Sequence, residues 1–273
     1  MGGEISFLLP FLFHNTPPNH ASMNDLHLQA ATDAAHAAGQ LLRDHFGGTP
    51  DVNAFEAHDI KLELDIQSQE LITKLLLERF PTHAILGEEG VAGDSSSPWQ
   101  WIVDPIDGTV NYFYGIPHFC ISIALRHHEE IQVGVIYDPM RDELWAASIG
   151  TTPTLNGKPI QVSPRTKLSD AVLSVGFSKT KTTIAAGLPL LAKYVQRARK
   201  CRLMGSAALD LAYVACGRLD AYIEQSVNLW DIAAGKLLVE TAGGKITCTE
   251  RADAPQKISV CASNGRIDLE LTP

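Results

Sequence analysis

Short apolar runs that end in carboxylates and glycines constrain the fold of this chain most strongly. Ala84–Leu86 is followed by a Gly-Glu-Glu-Gly segment at residues 87–90, and Trp101–Val103 is followed by Asp-Pro-Ile-Asp-Gly-Thr at residues 104–109. Apolar runs of this length, bounded by Gly, Pro and Asp, are typical of buried strands. The sequence therefore predicts two strands with acidic residues at one end of each, the second followed by a tight turn.

Helical periodicity surrounds these strands. Apolar residues repeat at helical spacing from Asn24 to Leu42 and over Ile66–Phe80. Further helices are predicted over Leu188–Arg199, Ser206–Cys216 and Asp231–Thr241, and further strands over Cys120–Arg126, Ile131–Tyr137, Glu143–Ser148, Asp220–Glu224, Lys245–Cys248 and Ile258–Ala262. Two helices, then consecutive strands, then alternation predict an α+β or layered α/β sandwich in two lobes that divide near residue 160.

Composition disfavours several classes of protein. With 45% hydrophobic and 19% charged residues among 273, the chain is typical of a globular protein rather than a disordered or coiled-coil one. Its net charge of −9 disfavours nucleic acid as a partner, because a surface of this sign repels phosphates. The apolar run Phe7–Phe13 is too short to span a membrane, so we expect no membrane partner and interpret residues 1–22 as a disordered extension. Five cysteines without a Cys-x-x-Cys pair indicate a cytoplasmic protein with reduced thiols.

The carboxylates at the strand ends can converge on one cleft. Hard divalent cations bind several oxygen ligands, and Asp104, Asp107 and the carbonyl of Ile106 could share one ion. Glu88 follows the neighbouring strand, and Asp231 lies at the start of a predicted helix. Taken singly, each segment is more typical of an ordinary turn or helix cap. Together, and in this order, they predict a metal site.

A position for an anion follows directly after the second acidic segment. The backbone N–H groups of Gly108 and Thr109 would face an anionic ligand if a helix begins there, because the first N–H groups of a helix have no partner within it. The residues alone therefore predict a site that combines cations with an anion.

Four segments together carry a resemblance to a known family. They are Trp-Ile-Val-Asp-Pro-Ile-Asp-Gly-Thr-Val-Asn-Tyr at residues 101–112, Trp-Asp-Ile-Ala-Ala-Gly at 230–235, Gly-Glu-Glu at 87–89 and Gly-Ser-Ala-Ala at 205–208. With these segments, the chain resembles the inositol monophosphatase family of Mg²⁺-dependent, lithium-sensitive phosphatases. The resemblance covers roughly Asn24 to Gly265. It implies a layered αβαβα sandwich, the sugar-phosphatase-like fold, and a homodimer.

The resemblance also implies a ligand set for two to three Mg²⁺ ions. Glu88, Asp104 and the carbonyl of Ile106 would hold the first ion, and Asp104, Asp107 and Asp231 the second. The third, weaker ion depends on a mobile loop that usually carries a lysine. Residues 51–58 contain none, and Lys61 is the nearest candidate.

Catalysis and substrate contacts are likewise implied by the resemblance. Glu88 and Thr109 would orient a metal-activated water, and Asp65 would hydrogen-bond Thr109. Residues 23–160 would form a metal-binding lobe and residues 161–273 a substrate-binding lobe. The implied substrate contacts are Glu88, Ile106, Asp107, Gly108, Thr109, Gly205, Ser206, Ala207, Glu224 and Asp231. Glu224 could instead pair with Arg202 or Arg218.

The expected reaction is hydrolysis of a phosphate monoester of a small polyol, foremost myo-inositol monophosphate. Relatives of the same fold act on fructose 1,6-bisphosphate, histidinol phosphate or phosphoadenosine nucleotides, and a metal-binding interaction protein without turnover is a further alternative. A bisphosphate would need a second cluster of basic residues, for which only residues 193–202 offer themselves.

Overall fold

The computed structural model of the chain describes residues 23–48, 52–56, 59–177 and 180–270, without the side chains at 53–61 and at Pro255. The predicted extension 1–22, residues 51, 57 and 58 of the predicted loop and the side chain of Lys61 therefore lie outside the described residues. The helices are α1 Met23–His45, α2 Glu63–Arg79, α3 Thr109–Phe113, α4 Lys181–Arg197, α5 Ala207–Ala215 and α6 Leu229–Thr241. None of the helices in the described part of the chain is long and apolar enough to cross a membrane.

Fifteen strands in this part of the chain form three sheets. They are β1 Val52–Glu56, β2 Asp59–Leu62, β3 Ala84–Gly87, β4 Gly90–Gly93, β5 Trp99–Asp107, β6 Cys120–His127, β7 Glu130–Asp138, β8 Glu143–Ser148, β9 Thr154–Leu155, β10 Lys158–Pro159, β11 Val172–Val175, β12 Lys200–Arg202, β13 Ala221–Val227, β14 Lys245–Arg251 and β15 Ala254–Ser263. The first large sheet has the order β10-β9-β8-β7-β6-β5-β3-β4, and the second has the order β12-β11-β13-β15-β14. β1 and β2 form a separate hairpin.

Alternating side chains place helices on both faces of the first sheet. On β6, Ile121 and Ile123 belong to a buried cluster with α1 and α2, whereas Ala124 belongs to a cluster with α5 and α6. This alternation follows from the two-residue period of a strand. The first sheet therefore separates α1 and α2 from α5 and α6.

The second sheet has the same arrangement. Leu173 and Ile223 pack in a cluster with Tyr194 of α4, whereas Tyr222 and Val260 join the cluster around α5 and α6. The order of layers is helix, sheet, helix, sheet, helix. This confirms the predicted αβαβα sandwich, and α5 and α6 are apolar on several faces because they lie between two sheets.

The helix predicted over Leu188–Arg199 is wrong in its extent. α4 begins at Lys181 rather than Leu188, since Thr180 caps it and the helix continues through Pro189. The helix ends at Arg197 rather than Arg199, so the basic stretch 193–202 is divided between α4 and β12. β11 and β12 were missed because such short strands carry little periodicity.

A cluster of buried rings joins α1 and α2 to the first sheet. The His27 ring lies 4.6 Å from Phe80, 5.3 Å from His83 and 5.0 Å from Trp99, measured between ring centroids. Nδ1 of His27 and Nδ1 of His83 have no hydrogen-bond partner among the described residues. Burial, with a smaller contribution from His83, lowers the pKa of His27 to about 4.

We predict that His27 makes the fold sensitive to acid. A histidine whose folded pKa lies below its unfolded value stabilises the fold above about pH 6.5, and this stability is lost as the pH falls towards 4. Replacing His27 by Gln should remove on the order of 1 kcal/mol of the stability difference between pH 7.5 and pH 5. Thermal unfolding of both proteins at both pH values measures this. An unchanged difference in the variant would contradict the prediction.

Candidate active site

The acidic segment after Val103 is the end of a strand. β5 pairs with β6 through Asp104 opposite Ser122 and Asp107 opposite Cys120, so β5 holds one extra residue between these pairs. The prediction of a tight turn directly after Val103 is therefore wrong: a β-bulge extends the strand to Asp107. A bulge redirects side chains, and here it places two buried aspartates at the strand end.

The residues after the bulge begin α3. Gly108 has a left-handed backbone (φ 98°), and a Cβ there would lie 3.1 Å from the His118 carbonyl oxygen and 3.2 Å from that of Gly205. The Asn111 side chain donates hydrogen bonds to the carbonyls of His118 (2.8 Å) and Met204 (2.9 Å). Glycine is needed at residue 108 for both conformation and space, and this turn joins the two halves of the chain.

Asp65 of α2 contacts the first residue of α3. Its Oδ1 accepts a hydrogen bond from Thr109 Oγ1 at 3.3 Å, and its Oδ2 accepts one from the Leu62 backbone at 2.8 Å. Thr109 Oγ1 also lies 2.9 Å from the Ile106 carbonyl oxygen. The predicted contact between Asp65 and Thr109 is therefore present.

The next turn of α2 holds the backbone of the two acidic segments. Ser68 Oγ donates to the Pro105 carbonyl at 3.2 Å, and Gln69 Oε1 accepts from the Glu89 backbone at 2.8 Å. A Cβ on Gly87 would lie only 2.1 Å from Gln69 Oε1, so the missing side chain makes room for this amide. α2 thereby fixes the turn that carries Glu88.

Asp107 connects the first sheet to α5. Its Oδ2 accepts hydrogen bonds from Ser206 Oγ (2.5 Å) and the Ala208 backbone (2.7 Å), and its Oδ1 accepts one from the Ala207 backbone (3.3 Å). These backbone donors are the unpaired N–H groups at the start of a helix, where a negative charge is favourable.

Two further predicted carboxylates lie on the second half of the chain. Asp231 Oδ2 accepts from the backbone N–H of Asn228 at 2.6 Å and so caps α6. Glu224 Oε2 accepts from the Tyr222 hydroxyl at 2.6 Å, and a Cβ on Gly176 would overlap it. Arg218 forms its ion pair with Glu143. Among the described residues, the partner of Arg218 is thus Glu143 rather than Glu224.

A cavity of about 510 Å³ brings nearly all predicted site residues together. Its lining includes Glu88, Asp104, Ile106, Asp107, Gly108, Thr109, Gly205, Ser206, Ala207, Glu224 and Asp231. Asp65 is not part of the lining and acts on it through Thr109. Sequence reasoning missed Asn111, Asp210, Ser226, Asn228 and Lys257, which also line the cavity. Of these, only Asn111 lay inside a recognised motif.

Burial and mutual repulsion dominate the electrostatics of this cavity. Burial, and then the charges of Glu88, Asp107 and Asp231, raises the pKa of Asp104. Burial also raises the pKa of Asp231, with the charge of Asp107 as the next cause. The pKa of Asp107 is raised by burial and lowered again in part by its hydrogen bonds.

These carboxylates provide the right chemistry for a hard divalent cation, because oxygen ligands suit Mg²⁺ and its charge would relieve their repulsion. As they stand, however, no three acidic, histidine or cysteine side chains among the described residues enclose a common ion position. Asp107 and Asp231 are instead turned towards the first N–H groups of α5 and α6.

The chain is similar to known proteins over most of its length. A model of the inositol monophosphatase family matches residues 23–272. The protein named Nus factor SuhB of Xylella fastidiosa is 41% identical over 226 residues, 82% of this chain and 82% of its own. The inositol-1-monophosphatase of Synechocystis sp. is 38% identical over 251 residues, 90% of this chain and 87% of its own.

A solved structure agrees with these relatives. The crystal structure of extragenic suppressor protein suhB from Bartonella henselae has a TM-score of 0.82 and 33% identity, and it covers 88% of this chain and 95% of its own. The family match spans the whole cavity and confirms the resemblance drawn from the four motifs. The chain belongs to the inositol monophosphatase family of phosphatases.

Proposed function

We propose that this phosphatase hydrolyses a phosphate monoester of a small polyol, with myo-inositol monophosphate as its preferred substrate and Mg²⁺ as its metal. One observation carries the proposal: a single cavity combines four buried or half-buried carboxylates at one end with Glu224 at another wall. The first group suits cations that hold a phosphate, and Glu224 suits the hydroxyl groups of a polyol.

Five residues would hold two Mg²⁺ ions in this proposal: Glu88, Asp104 and the Ile106 carbonyl for the first, and Asp104, Asp107 and Asp231 for the second. Bound there, the ions would lower the pKa of a water molecule and neutralise charge on the phosphate. The charges of Glu88, Asp107 and Asp231 all raise the pKa of Asp104, which supports a position of Asp104 between the two ions. A third ion would depend on the loop at residues 51–58.

Glu88 and Thr109 would orient the attacking water, and Asp65 would act as a positioning residue. The hydrogen bond between Asp65 and Thr109 holds the threonine hydroxyl beside the Ile106 carbonyl, on the cavity wall. When the Thr109 hydroxyl donates its hydrogen to Asp65, the lone pairs of the hydroxyl oxygen are oriented to accept a hydrogen bond from the water. The backbone N–H groups of Gly108 and Thr109 would face the phosphate.

The polyol would lie against α5 and β13. Gly205, Ser206 and Ala207 line this part of the cavity, and Ser206 is held by Asp107. Glu224 is held by Tyr222, so its orientation is fixed before the substrate arrives. A fixed acceptor binds a polyol hydroxyl more strongly than a mobile one, because less conformational entropy is lost on binding.

The basic stretch does not supply the cation cluster that a bisphosphate would need. Arg197 pairs with Glu270 and Arg199 pairs with Asp170. None of the residues 193–202 lines the cavity in the described part of the chain. This favours inositol monophosphate over fructose 1,6-bisphosphate and phosphoadenosine phosphate, which each carry a second phosphate, as the leading substrate.

Several further properties belong to the same proposal. We expect lithium to inhibit by taking one Mg²⁺ position, and we expect a homodimer in the cytoplasm, where the five free cysteines would stay reduced. A relative at 41% identity carries the name Nus factor, so a binding role without turnover is the second candidate. The complete set of carboxylates in the cavity favours the enzyme.

Phosphate release from a panel of esters tests the substrate class. The panel holds inositol 1-phosphate, fructose 1,6-bisphosphate, histidinol phosphate and phosphoadenosine phosphate, each with and without Mg²⁺. We expect Mg²⁺-dependent release, fastest from inositol 1-phosphate, because the cavity pairs cation ligands with a hydroxyl acceptor. No release from any of these esters would favour the binding role instead.

Replacement of Asp104 by Asn tests the metal assignment. We expect turnover to fall at least about a hundredfold, because the variant loses the charge shared by both ions. Asp44→Asn on the exposed side of α1 is the matched control and should leave turnover unchanged. Near-normal turnover of the Asp104 variant at ordinary Mg²⁺ concentrations would contradict the metal assignment.

Replacement of Glu224 by Gln tests the polyol contact. The variant keeps the size of the side chain and loses the charge, so kcat/KM for inositol 1-phosphate should fall several-fold more than kcat/KM for phenyl phosphate, which has no hydroxyl groups. Steady-state kinetics on both esters give the ratio. An equal loss on both would mean that Glu224 acts on the chemistry rather than on recognition.

A further inference from the structure

Lys257 is the only lysine or arginine among the described residues that line the active-site cavity. Six carboxylates line the same cavity: Glu88, Asp104, Asp107, Asp210, Glu224 and Asp231. In such surroundings a lysine is expected to pair with a carboxylate. The actual partner of Lys257 therefore indicates whether its ammonium group can bind a ligand in the cavity.

Lys257 pairs with a neutral amide. Its Nζ donates to Asn228 Oδ1 at 2.6 Å, which is the only hydrogen bond of this ammonium within the described part of the chain. Asn228 Nδ2 lies 3.3 Å from Asp231 Oδ2, so the amide oxygen faces the lysine and its N–H₂ group faces the carboxylate. An ammonium group has three donors, and two remain for a ligand.

Lys257 lies on the wall of the cavity that the second half of the chain forms. It lies on β15, which pairs with β13 through Val227 opposite Ile258 and Glu224 opposite Val260. Lys257 and Glu224 therefore belong to the same wall, formed by the second sheet. The Gly108 and Thr109 backbone, which would face the reacting phosphate, belongs to the first half of the chain.

From these observations we propose that Lys257 binds a second anionic group on the alcohol part of the substrate, a second phosphate or a carboxylate. This inference rests on the proposed function and extends its substrate class to polyol monoesters that carry a further negative charge. The Asn228 amide restrains the ammonium, so less side-chain entropy is lost when the anion binds. Lys257 on β15, rather than the basic stretch 193–202, would thus be the residue that recognises a second anionic group.

Steady-state kinetics with myo-inositol 1-phosphate and myo-inositol 1,4-bisphosphate test the inference, because the two esters share the phosphate at position 1. For Lys257→Met we expect KM for the bisphosphate to rise about tenfold, since a charge-assisted hydrogen bond is lost. KM for the monophosphate should change less than about twofold. Lys257→Arg should retain most of the affinity for the bisphosphate, and Lys236→Met, which removes a cation paired with Glu240 on α6, is the control.

Each other outcome overturns the inference. An equal rise of KM on both esters would place Lys257 on the reacting phosphate, and an equal fall of kcat would mean that it only supports Asn228 and Asp231. No change on either ester would exclude any contact. If the wild-type protein hydrolyses neither ester, the proposed function fails, and calorimetric Kd values of both proteins for the same two esters then decide the role of Lys257.

Discussion

Repulsion between buried carboxylates is the interaction on which the rest of this structure depends. Asp104 is almost completely buried, and Glu88, Asp107 and Asp231 act on it with charges of the same sign. An uncompensated group of this kind opposes folding, because each charge loses its hydration and repels the others. The fold must therefore compensate the group internally or leave it to a bound cation.

The surrounding elements supply part of this compensation. Asp107 accepts from the N-terminus of α5, and Asp231 accepts from the N-terminus of α6, where helix dipoles favour negative charge. α2 holds the remaining backbone through Ser68 and Gln69. The hydrogen bonds of Asp107 thereby join the end of β5 to the first turn of α5, in the helix layer between the two sheets. The repulsion that remains is what a divalent cation would remove.

Sequence reasoning reached the layered fold and most of the site because both depend on local patterns. The apolar period of α2 and the motif at 101–112 are readable in a single chain. The bulge in β5 was not readable, since it is defined by the register between β5 and β6. The start of α4 was missed because proline usually disrupts the interior of a helix. Here Thr180 caps the helix, and Pro189 is tolerated inside it. Lys257 gave no signal, because its place in the cavity follows from the pairing of β13 with β15.

Thermal unfolding of the wild-type protein and Asp104→Asn at pH 8, with EDTA or with Mg²⁺, tests the central claim most directly. Removing one buried charge should raise the unfolding temperature of the metal-free protein, because it relieves repulsion at a pH where the carboxylates are driven to ionise. The same change should abolish most of the stabilisation by Mg²⁺ that the wild type shows. A variant that is less stable without metal, and is still stabilised by Mg²⁺ to the wild-type extent, would contradict the account.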